Sequence, residues 1–82
     1  MTMYELFEEK YLLFRVSNKG LEFWKESAVG YTNHLLEAGV YTYEHVSSLG
    51  LRCLSIHDVK KGSHLKYTHF AMKMSEAIIG LR

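Results

Sequence analysis

The chain has 82 residues, 48% of them apolar and 13% aromatic, with one cysteine and no proline. That length suits one domain over residues 1–82, and the apolar share excludes a disordered chain. Net charge is +1 but unevenly spread: residues 1–50 hold seven acids and four bases (−3), residues 51–82 two acids and six bases (+4). Such an asymmetry can mark a basic contact face or an acidic decoy face. A lone Cys53 builds no disulfide framework, which points to a reducing cytosol. Met1 to Lys10 carries three glutamates and no apolar run, so it reads as neither signal peptide nor anchor.

Thr2 and Glu5 form a T-x-x-E capping box, and Met3, Leu6, Phe7 and Lys10–Tyr11 follow helical spacing. A short N-terminal helix is expected there. Tyr11 to Ser17 reads as a strand with Leu12, Phe14 and Val16 on one face and Tyr11, Leu13 and Arg15 on the other. Asn18-Lys19-Gly20 supplies a tight turn, and Leu21 to Glu26 returns as the hairpin partner. Two matched units follow, Tyr31-Thr32 to Ala38-Gly39 and Tyr41-Thr42 to Leu49-Gly50. In the first, Thr32 caps a turn or two of helix that Gly39 ends. In the second, Thr42 caps a true helix with Val46 and Leu49 inward and Gly50 as the stop. Leu51 to Val59 reads as a strand, Lys60-Lys61-Gly62-Ser63 as a turn, and His64 to Met74 as a strand. The faces of that last strand, Phe70/Met72/Met74 and Tyr67/His69/Ala71, are both partly apolar, which suits a central place in the sheet. Ser75 caps a last short helix ended by Gly80. The expected fold is α+β: a small antiparallel sheet of three to four strands, one main helix over about Thr42 to Leu49, and short terminal helices.

The segment FWKESAVGYTNHLLEAGVYTYEHV, residues 23–46, sets Trp24 before Gly30-Tyr31-Thr32, then Ala38-Gly39, then Tyr41-Thr42. This pattern resembles small proteins of phages and prophages in which a strand ends in tryptophan and Ala-Gly-x-Tyr-Thr leads into a helix. HFAMKMSEAI is similar, less specifically, to their closing strand. Their helix after Tyr-Thr is usually rich in glutamate, whereas here Tyr43, His45 and Val46 dilute it. The resemblance implies phage origin, a small α+β fold, no established enzymatic activity and a role as an accessory factor against host defences, in the cytoplasm of an infected bacterium.

No catalytic, cofactor or metal-binding motif stands out. His64 and His69 are five apart, and on a strand they point to opposite faces; Cys53 and His57 are split in the same way. Cys53 as a nucleophile would need a neighbouring base and an electropositive setting; the sequence carries no supporting signature, and Cys53 reads as a buried small apolar residue. Arg52, Lys60, Lys61, His64, Lys66, Tyr67, His69, Phe70 and Lys73 interleave cations with rings, and on a sheet surface could hold a phosphate backbone and stack bases. Tyr67 and Phe70 fall on opposite faces in that reading. Trp24, Tyr31 and Tyr43 are either lids on the core or interface anchors.

The leading expectation is a non-enzymatic inhibitor of a host defence protein or protein–nucleic-acid complex, of which an anti-CRISPR is one form. Its contacts would run through Glu5, Glu8, Glu9, Glu22, Glu26 and Tyr43, acids that compete for a channel lined with Lys and Arg. The alternative is a nucleic-acid-binding module using Lys60, Lys61, Lys66 and Lys73. A thin core with many aromatics also suggests a homodimer.

Overall fold

Alternation in residues 11–24 gives the strands two faces, and the fold is built on that hairpin. The structure is a computed structural model that describes residues 9–26 and 30–81. Most of the helix read from Thr2 lies outside the described residues; Glu9 and Lys10 are not helical. Strand β1 (Tyr11–Ser17) turns through Asn18-Lys19 into β2 (Gly20–Trp24), with Phe14 opposite Phe23 and Arg15 opposite Glu22. Strand β3 (Tyr31–Thr32) pairs with the end of β2. A 3-10 turn follows at Leu35–Glu37, then α1 (Tyr43–Ser48), β4 (Arg52–Cys53), α2 (Ile56–Lys60), a second 3-10 turn at Ser63–Lys66, β5 (His69–Lys73) and α3 (Met74–Leu81).

The described residues form a small α+β domain with a five-stranded mixed sheet in the order β3-β2-β1-β5-β4. It has one strand more than the sequence suggested, and β4 pairs with β5 in parallel through the α2 crossover. Strand β5 holds the expected central place, between β1 and β4. Leu12, Phe14, Phe23, Phe70 and Met72 make the first sheet face, covered by Leu54, Val59 of α2 and Ala77 of α3. Phe14 is fully buried, with its ring 4.9 Å from that of Phe23 and stacked 5.2 Å from that of Phe70. Truncating it to alanine costs about 3–5 kcal/mol. Tyr11, Leu13 and Ala71 make the second face, covered by Tyr41 and by Val46 of α1.

Three helix starts differ from the sequence reading. Leu51–Val59 is not one strand: pairing stops at Cys53, and Ser55 caps α2 through a reciprocal box with Asp58. Thr32 lies in β3, and its hydroxyl accepts from His34 N at 3.1 Å, so it closes a local turn rather than capping a helix. Helix α3 begins at Met74, whose N–H donates to Lys10 O at 2.8 Å, and Ser75 sits inside it. The Thr42 cap is as expected, accepting from His45 N at 3.1 Å, and Gly50 follows with φ +69°. Leu49, expected to face inward, is the αR C-cap of α1 and is 43% exposed.

Two glycines assigned to helix ends serve close approach instead. A Cβ on Gly39 would meet the backbone of Lys25 and Glu26, and one on Gly80 would meet the Ile56 side chain. Gly80 therefore lies within α3, where that helix crosses α2, and does not end it.

Candidate functional site

Two concave surfaces among the described residues stand out, one on each side of the sheet. On the first-face side, the Leu35–Glu37 turn and α3 are the walls of a groove of about 300 Å³. Leu12, Leu35, Leu36, Ala38, Val40, Met74 and Ile78 line it, and none of them is polar. Leu36 is fully exposed, and Val40 and Ile78 are 52% and 38% exposed. The turn puts Leu36 outside because it follows Leu35, which packs on the core, and Gly39 N holds the segment to Trp24 O at 2.9 Å.

On the second-face side, α1 covers only part of the sheet. Beyond it lies a cleft of about 510 Å³ lined by Tyr43, Val46, Ser47, Gly50, Leu51, Arg52, Cys53, Tyr67 and His69. Packing fixes its rings. Tyr43 lies 5.8 Å from the ring of Tyr11, and His69 meets Trp24 edge to face at 5.6 Å. Trp24 meets Tyr31 in the same way at 5.9 Å, and its indole Nε1 is buried with no hydrogen-bond partner among the described residues. Tyr31 carries the Arg15 guanidinium over its ring at 3.5 Å. Tyr67 precedes β5, so strand alternation does not apply to it; it packs on the cluster that holds Phe70 rather than on the opposite face.

The residues singled out in the sequence do not gather in one place. Glu5 and Glu8 lie outside the described residues. Glu9 accepts from the Ser75 hydroxyl at 2.5 Å, at the start of α3. Glu22 is committed to Arg15 at 2.9 Å, and that hydrogen bond holds its carboxyl below the usual range. Glu26 is exposed just after β2. Tyr43 is 57% exposed on the cleft rim. Lys60 and Lys61 end α2, where cations complement the helix dipole, and Lys66 lies in the next turn. Lys73 sits at the far end of β5, in a separate cavity with Tyr11, Ser55 and Glu76. The four lysines therefore form no single patch.

Cys53 is exposed, not buried, because β4 is a two-residue edge strand. Partial burial pushes its thiol up, against Arg52 and Lys73, which is the opposite of the shift that activates a thiol nucleophile. His64 donates from Nδ1 to Val59 O at 2.9 Å, and His45 packs edge to face on Tyr41 at 5.1 Å. Among the described residues no three His, Cys, Asp or Glu side chains gather to hold a metal. No described helix is long and apolar enough to cross a membrane.

The site residues that sequence reasoning missed are Leu36, Val40 and Ile78 of the groove and Leu51 of the cleft. No sequence signal singled out Leu36: adjacent residues of a helical turn lie about 100° apart and can both face a core.

The structure thus defines a small α+β domain with an apolar groove on one side and an aromatic, basic cleft on the other. Comparison with known protein families, curated proteins and solved structures finds no match.

Proposed function

We propose that this domain acts by binding another protein, without catalysis, through the groove between the Leu35–Glu37 turn and α3. The observation that carries the reading is Leu36, a fully exposed leucine beside a groove with an entirely apolar lining. Contiguous exposed apolar surface of this kind marks interaction sites. The occupant is an uncharged, apolar segment of the partner, since a charge placed in that lining would be desolvated without a counter-charge. The resemblance of residues 23–46 to small phage proteins gives the finer form: an accessory protein that occludes a host defence protein or protein–nucleic-acid complex in the bacterial cytoplasm.

The acids take a smaller part in this reading than the sequence suggested, because Glu22 is held by Arg15 and Glu9 by Ser75. Lys73 lies apart from Lys60, Lys61 and Lys66, which weakens the case for a nucleic-acid module built on all four. The test is capture from host extract by wild type and by Leu36→Glu, with the captured protein then purified and titrated. Loss of binding in the variant supports the reading. Binding that survives Leu36→Glu and Ile78→Glu sinks it. A second copy filling the groove is the other outcome, visible in light scattering as a species of twice 9.5 kDa.

A further inference from the structure

From the cleft on the second sheet face, we infer that the domain has a separate site for a nucleoside monophosphate unit, either free or within a single strand. This inference does not depend on the groove. The two surfaces share no lining residue.

The chemistry of the lining selects the ligand class. The cleft, about 510 Å³, falls within the range of small-molecule sites. None of its nine lining residues is acidic. The polar groups offered are the Arg52 guanidinium, the His69 imidazole, the Ser47 hydroxyl, the Cys53 thiol and two tyrosine hydroxyls. Arg52 is exposed on edge strand β4 and makes no ion pair among the described residues. Arg15, by contrast, is already engaged by Glu22 and Tyr31. Arg52 is thus the guanidinium placed to take an anion, and a phosphate matches its planar donor fork.

The rest of the lining asks for a flat, apolar body attached to that anion. Tyr43 presents a ring, and Val46 and Leu51 present aliphatic surface beside it. Tyr43 is 57% exposed while Tyr11 holds its ring from behind at 5.8 Å. His69 is held in the same way by Trp24. Rings fixed by packing lose little freedom when a base stacks on them. A base on a ring and a phosphate on a nearby guanidinium is the recurring arrangement in sequence-tolerant recognition of single strands.

The test uses the full-length, isotope-labelled protein and amide NMR shifts. The probes are adenosine 5′-monophosphate, adenosine, inorganic phosphate, and five-nucleotide adenine strands of RNA and DNA. The nucleotide is expected to move the amides of Tyr43, residues 50–53 and residues 67–69 saturably, and to bind at least about tenfold tighter than adenosine or phosphate alone. Arg52→Glu should abolish the shifts, and Tyr43→Ala should weaken binding between about 5-fold and 150-fold, the worth of one stacked base. Both side chains are exposed, and each variant's spectrum reports whether it is folded. A pentamer that binds at least about tenfold tighter than the mononucleotide identifies a strand as the source, and equal affinities identify a free nucleotide. The inference is overturned if neither nucleotide nor pentamer gives saturable shifts up to about 10 mM, if phosphate alone binds as well, or if Arg52→Glu leaves the shifts unchanged.

Discussion

Replacing Gly39 with alanine adds one methyl group where the chain has no room for it. The new Cβ would stand 2.6 Å from Glu26 N, 2.7 Å from Glu26 Cα and 2.8 Å from Lys25 C. Carbon contacts are comfortable at about 3.5–4.0 Å, so the 38–40 segment and the end of β2 must separate by about 1 Å. All three atoms are backbone, and no side chain can swing aside. Separation strains the Gly39 N–Trp24 O bond of 2.9 Å and the Lys25–Ala38 bridge. Overpacking of this kind costs about 1–3 kcal/mol, and one weakened hydrogen bond adds about 1. Alanine recovers about 0.4–1 kcal/mol by restricting the unfolded chain. The expected net loss is about 1–3.5 kcal/mol. With a urea slope of about 1–3 kcal/mol per molar, the unfolding midpoint falls by at least about 0.3 M and by up to about 3.5 M. Gly50→Ala is the control: its Cβ meets nothing, but its φ of +69° makes alanine cost about 1 kcal/mol. A Gly39→Ala midpoint within about 0.3 M of wild type would refute the steric account.

Other expectations can be checked on the same protein. Ser55→Ala removes the α2 capping box and should cost about 1 kcal/mol in urea unfolding; no loss would mean that the box contributes nothing. Hydrogen bonds from Ser55 hold Asp58 below its ordinary 3.8, and the bond from Arg15 holds Glu22 below its ordinary 4.5. Both carboxylates bind fewer protons when folded, so their stabilisation is complete above those ordinary values and is lost as pH falls through the lower folded values. The stability gap between wild type and Asp58→Asn should narrow as pH falls below the ordinary 3.8, and a gap that does not change with pH on the acid side would contradict it. Lys60→Glu/Lys61→Glu should weaken any gel shift of single-stranded RNA less than Arg52→Glu does, since neither lysine lines the cleft. A large loss would restore the nucleic-acid reading based on the lysines.

Local pattern decided what the sequence could show. The β1–β2 hairpin was legible because seven residues alternate and Asn18-Lys19-Gly20 turns them. The same alternation placed Leu12 and Phe14 against Tyr11 and Leu13, as the two cores have them. Thr42 and Gly50 bracketed α1 through their own chemistry. Residues 51–59 were misread because apolar spacing outweighed Ser55-x-x-Asp58, a helix-start signal visible in the sequence. Gly39 and Gly80 looked like helix stops because one chain does not reveal which backbone or side chain approaches from elsewhere. Neither concave surface was legible. The cleft joins α1, β4, the residues before β5 and β5 itself, and the groove joins β1, a 3-10 turn and α3. Such sites exist only once the topology does.

The central claim is that Leu36 and its groove bind a partner protein, and titration of the purified captured partner against wild type and Leu36→Ala tests it most directly. Leu36 is fully exposed in the free domain, so its replacement should leave the unfolding midpoint within error of wild type. Burying a leucine side chain contributes about 1.5–3 kcal/mol, so Kd should rise about 10- to 150-fold. Equal affinity of the two proteins for that partner would contradict the account.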